Sequence, residues 1–167
     1  MASRADQAKA ALVDKVVALA AERLDDERAG MATHFLRAFY ANVPPDDILG
    51  EEPDNLFAAA LALWSFGATR APGEARVRVF NPHHDEHGWS STHTIVEIVN
   101  DDMPFLVDSV TAEINRHHLA VRLVSHSLLA VKRDADSDMV SVAGRDGLAQ
   151  RARRTGAATA RRIATLT

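Results

Sequence analysis

VNDDMPFLVDSVTAEINRHH, residues 99–118, joins two periodicities at an acidic corner. Upstream, THTIVEIVN (92–100) is rich in β-branched residues and reads as a strand. Downstream, Leu106, Val110 and Ile114, with Val107 alongside, recur at helical spacing, which predicts a helix over 102–117. The corner between them holds Asp101, Asp102 and Pro104. One reading is a cap: a carboxylate accepts from the open N–H groups of the helix start, and proline in the first turn forfeits no helical hydrogen bond. The other is a ligand site, with Asn100, Asp101 and Asp102 as the candidate effector-binding residues. Capping accounts for the corner without a ligand.

Working outward, the chain predicts helices first and a sheet after. Leu12, Val16, Leu19 and Ala20 form one amphipathic stripe. A second helix is predicted over 26–41, with Phe35 and Phe39 on one face, and Pro44 and Pro45 stop it. Asp54 is a plausible cap for a third, over 55–69, carrying Leu56, Phe57, Leu61, Trp64 and Phe66. From Arg76 the period changes: RVRVF (76–80) alternates as a half-exposed strand should. LAVRLVSHSLLAVKRD (119–134) reads as one long strand or two with a kink. DADSD (134–138) is a turn, and MVSVAG (139–144) a short strand. Three regions result: a helical segment over 1–72, an α+β segment over 73–143, and a tail over 144–167. The tail is Arg-, Ala- and Thr-rich with little apolar periodicity, and is expected to be disordered.

Charge and composition exclude several functions. The net charge of −4 does not fit a general nucleic-acid binder, and the excess of positive over negative charge is confined to the tail, which carries six arginines against Asp146 alone. A tail contact with nucleic acid would be weak and salt-sensitive. Without cysteine there is neither a disulfide framework nor a thiolate nucleophile, and a reducing cytoplasm is the default location. The longest uncharged run, residues 55–69, is too short to span a bilayer. No glycine-rich dinucleotide turn or phosphate-binding loop is present. The loop NPHHDEHGWSS (81–91) gathers His83, His84 and His87, a set able to ligate a divalent metal if the loop folds around it. Pro82 and Gly88 favour a solvated loop instead, so the metal site is the alternative reading.

Several long strings resemble the N-terminal region of the large bacterial NAD-specific glutamate dehydrogenases: FYANVPPDDI, ALALWSFGATRAPG, VRVFNP and HGWSSTHTIVEIVNDDMPFLVDSVTAEI, in that order. The resemblance spans roughly residues 30–140. It implies ACT-like βαββαβ modules with regulatory and subunit-contact roles, in a polypeptide whose catalytic part lies elsewhere. The parent reaction it implies is oxidative deamination of L-glutamate to 2-oxoglutarate and ammonium with NAD. The expected fold is therefore α+β: an N-terminal helical segment packed beside a partial ACT-like βαβ(β) antiparallel sheet. It is partial because the Arg-rich tail offers no evident second helix or fourth strand. The resemblance also implies a ligand motif Asp-x-Pro-Gly at the corner, where this chain has Asp102, Met103, Pro104 and then Phe105. The chain is expected to be a fragment, inactive alone, with no cofactor of its own and NAD serving the parent. Its expected partners are the rest of the dehydrogenase or its other subunits, in a homo-oligomer, with neither membrane nor nucleic acid.

Overall fold

A computed structural model describes residues 3–143, and residues 160–166 by their backbone. Three helices come first, as predicted: α1 (Arg4–Arg23), α2 (Asp26–Ala41) and α3 (Pro53–Ala68). Ser3 and Asp6 form a reciprocal capping box at the start of α1, satisfying two N–H groups that the helix cannot. Asp25 caps α2 by accepting from Arg28 N at 2.9 Å. Lys9, on α1, closes the other end of α2 by donating to the carbonyls of Ala41 and Val43. Asp54 does not cap α3. That helix opens on Pro53 in its first turn, with Glu52 at the cap position, and Asp54 pairs with Arg23 of α1 instead.

The aromatic residues of α2 and α3 form the centre of the core. Phe35 stacks on Phe39 with ring centroids 5.7 Å apart and meets Trp64 edge-on at 5.0 Å. Tyr40 is buried and donates its hydroxyl to the Leu56 carbonyl at 2.7 Å, which couples α2 to α3. Loss of the surrounding water pushes the Tyr40 phenol well above its usual range.

The sheet has five strands: β1 (Arg76–Phe80), β2 (Ile95–Asp101), β3 (Val124–Arg133), β4 (Met139–Ala143) and β5 (Ala160–Leu166). Their spatial order is β1-β2-β5-β3-β4, and every neighbouring pair is antiparallel. Because β2 and β3 both run against β5, they run parallel to each other. The connection between them contains α5 (Leu106–Arg116), so the unit is a split βαβ with one strand between the parallel pair.

Residues 160–166, within the segment expected as a tail, form β5, so the expected βαβ(β) sheet carries a further strand. Residues 144–159, the rest of that tail, lie outside the described residues. β5 is the fourth strand of the module, and β1 adds a fifth at the edge. The pattern hid it because ARRIATL offers little apolar alternation. What holds such a strand is backbone pairing on both sides: Val96 and Val124 both face Leu166, and Glu97 and Ser125 both face Thr165.

The two faces of the sheet are dressed differently. Ile95, Glu97, Val99, Ser125, Ser127 and Leu129 point to the helical layer and are buried. Ser127 Oγ there donates to the Phe39 carbonyl at 3.0 Å, holding β3 against the end of α2. The opposite face carries Val77, Val79 and Val96, the last two bordering a hollow beside Ile114 of α5.

Removing residues 160–166 should leave β2 and β3 with unpaired backbone groups along facing edges. Hydrogen exchange on the chain cut after residue 159 is expected to show lost protection of β2 and β3 amides, while α1 to α3 stay protected. Unchanged protection in β2 and β3 would contradict the central placement of β5.

Candidate functional site: the acidic corner and the histidine loop

The corner is built differently from the capping reading. α5 begins at Leu106, later than predicted, and Phe105 occupies its N-cap position, so neither Asp101 nor Asp102 does. Asp101 is the last residue of β2. Its carboxylate receives the guanidinium of Arg70, whose side chain is fully buried beyond the end of α3. Arg70 also donates to the Glu74 carbonyl, and its own N–H donates to the Ser137 carbonyl at 3.2 Å. A buried guanidinium needs a fixed anion, because its desolvation is otherwise uncompensated. Asp101 is thereby committed to joining the helical layer to the sheet. Asn100 donates to Met103 Sδ at 3.1 Å, and Asp102 is exposed.

Phe105 explains the departure from the glycine pattern. Its φ of 60° and ψ of 12° lie in the left-handed region, which glycine enters without steric cost and other L-residues do not. The ring is 73% exposed, so it has turned outward into solvent. The turn keeps the backbone that a glycine would favour, with an aromatic ring mounted on it.

The histidine loop folds into one short turn, α4 (His84–His87), ended by Gly88 at φ 75°. His87 Nδ1 accepts from the backbone N–H of His83 at 3.1 Å, and its ring lies 5.0 Å from that of Phe80. Among the described residues, no three His, Asp or Glu side chains converge as a metal would require. What the loop does hold in place is Trp89. Its indole is buried and meets Phe80 edge-on at 5.9 Å. Asn55 of α3 clamps the next residue, accepting from Ser90 N at 2.9 Å and donating to Ser90 O at 3.1 Å.

A second buried ion pair lies across the inner face. Glu97 of β2 is 1% exposed and accepts from Arg78 Nε, while Arg78 also donates to the Ala62 carbonyl of α3. Burial raises the Glu97 carboxyl above its usual value, and the hydrogen bond and charge of Arg78 oppose that rise. Neither residue was singled out in the sequence, where alternation alone assigns Arg78 to an exposed face.

Split-βαβ connectivity, a fully antiparallel sheet and a strand-to-helix corner carrying Asp-Met-Pro define an α+β module of the ACT-like class. The glutamate dehydrogenase ACT1 domain model matches residues 35–162, and the chain belongs to that family. The match passes residue 140 and takes in the first residues of β5. The chain is 42% identical over 121 residues to the NAD-specific glutamate dehydrogenase of Halomonas elongata, covering 72% of the chain. It is 32% identical over 122 residues to that of Pseudomonas aeruginosa, covering 73% of the chain. The matched segment is 8% of the length of each of these relatives. No solved structure matches the chain at a significant level.

Two substitutions test the corner. Phe105→Gly should stabilise the chain by about 0.5–1 kcal/mol, since relief of the left-handed penalty exceeds the entropy that glycine adds to the unfolded chain. Asp101→Ala should destabilise it by about 2 kcal/mol, less than a fully buried pair because Asp101 is partly exposed. Both are read from urea unfolding at constant slope.

Proposed function

We propose that the chain is the N-terminal regulatory and subunit-contact segment of an NAD-dependent glutamate dehydrogenase. The parent would convert L-glutamate to 2-oxoglutarate and ammonium in the cytoplasm, with NAD bound elsewhere in the polypeptide. The relatives' names and the family match support the parentage. No helix among the described residues is long and apolar enough to cross a membrane.

The observation that carries the contact role is the outer face of the sheet. α5 is strongly amphipathic, yet its apolar stripe of Leu106, Val107, Val110 and Ile114 is only half-buried. Beneath it, Val79 is 62% exposed, as is Leu119 just past the helix. A hollow of about 300 Å³ lies between Val79, Val96, Ile114 and Leu119. Apolar side chains gathered this way are stabilised by covering them, and another subunit or a further part of the dehydrogenase is the natural cover. β1 adds an edge strand beside the hollow, where its outward valines extend the same surface. An effector at the corner would have to compete with Arg70 for Asp101, or use Asn100 and Asp102 alone.

Sedimentation velocity tests the contact role. The chain should self-associate with rising concentration, and the Val79→Asp, Leu119→Asp double variant should stay monomeric with an unchanged melting temperature. In the full-length dehydrogenase the same pair should shift the assembly toward smaller species. Wild-type assembly in both settings would defeat the proposal.

A further inference from the structure

On the other face of the sheet, between the helical layer and the Trp89 loop, lies a second cavity of about 140 Å³. Its walls are mainly apolar, with Phe39, Tyr40, Ile48, Leu56 and Ile95 among them. Two buried polar groups on those walls have no hydrogen-bond partner among the described residues: the indole N–H of Trp89, 6% exposed, and the hydroxyl of Ser125, 4% exposed. Groups of this kind are ordinarily satisfied by protein or bound solvent, and an orphan pair lining one cavity points to an occupant. The hydroxyl can donate or accept, whereas the indole can only donate, so the occupant must offer an acceptor.

The charged residues on the lining have one sign. Asp47 and Glu51 line the cavity from exposed positions, and Glu97 lines it from within. Among the described residues, no lysine or arginine lines it. Arg78 balances Glu97 but is not itself part of the wall. An anion would meet uncompensated repulsion there, and a cation would be drawn in. Size narrows the choice further, because a cavity of roughly 150 Å³ accommodates benzene.

We propose that this cavity binds a small primary amine, with a short branched apolar body and one neutral hydrogen-bond acceptor: a compact amino alcohol. The ammonium group faces the carboxylates, the acceptor takes the Trp89 N–H and bonds with Ser125, and the apolar body lies against Phe39 and Ile95. The loop that looked like a metal site in the sequence then acts as a mounting for Trp89. This cavity lies on the opposite face of the sheet from the hollow beneath α5 and away from Asp101, so the inference stands or falls separately from the contact role.

Valinol, with seven non-hydrogen atoms, is a suitable probe. Titrating it into the full chain at low salt should produce a saturable change in tryptophan emission, because Trp89 forms part of the wall, together with a rise in melting temperature. Valine has a carboxylate in place of the hydroxymethyl group and 3-methylbutanol lacks the ammonium; each should bind at least tenfold more weakly. The Asp47→Asn variant, which leaves the Glu51–Asn55 hydrogen bond in place, should weaken valinol several-fold while leaving the melting temperature of the free chain unchanged. Ser125→Val, which removes the hydroxyl and narrows the cavity, should abolish the emission change. The proposal is overturned by the absence of saturable binding, which would mean that the cavity holds water only. Equal binding of all three probes, or undiminished binding by the carboxylate variant, would overturn it as well.

Discussion

The last carbonyls of α3 have no helical N–H to accept from, and the way they are satisfied sets the geometry of everything around them. Arg133, from the end of β3, donates to the carbonyls of Gly67 and Ala68. Arg76, at the start of β1, donates to that of Thr69. Positive charge here also suits the negative end of the helix dipole. Arg70 follows immediately and reaches Asp101 at the end of β2. Thr69 pairs with Asp138 in the turn between β3 and β4. One helix terminus therefore fixes three strands and a hairpin relative to the helical layer. The segments that look like separate regions in the sequence share one core, in which Val99, Leu129 and Val142 of the sheet join the aromatic residues of α2 and α3.

This anchoring explains why the acidic corner misled as a local motif. Read along the chain, Asp101 and Asp102 stand where a cap should be, and helix-capping energetics are sufficient to account for them. The partner that decides the matter is Arg70, 31 residues earlier, and no local pattern points to it. Once Asp101 is drawn toward the helical layer, the backbone needs four more residues to reverse into α5. It does so through a left-handed Phe105, so the helix starts late and without the predicted cap.

Elsewhere, periodicity made the fold legible. α1, α2, the strand over 76–80, the stripe of α5 and the turn before β4 follow from apolar spacing and from proline and glycine punctuation. The resemblance of several long strings to the dehydrogenase family pointed to the module, and the order of elements matched its first half. Features defined by pairing were not legible: β5, whose position depends on two neighbouring ladders, and the Arg78–Glu97 pair, which alternation placed outside. The histidine loop was legible as a loop but not in its role, since its contribution is the placement of Trp89 by Asn55, a clamp between residues 35 apart. The cavity behind Trp89 had no sequence signal, because its walls come from α2, α3, β2, β3 and the connections between them.

The insertion of β5 between β2 and β3 also determines the order in which the sheet can form. Its pairs with β2 close loops of 60 to 70 residues, and those with β3 loops of 30 to 42. The β3–β4 hairpin and the β1–β2 pair are far more local and can assemble early, but two parallel strands cannot pair while the space between them awaits a third. Within the sheet, closure by β5 is then the step of highest loop entropy. Until it occurs, one long edge each of β2 and β3 stands open. The growing polypeptide accordingly carries its greatest exposure to misassembly in the interval between synthesis of Arg133 and synthesis of Leu166.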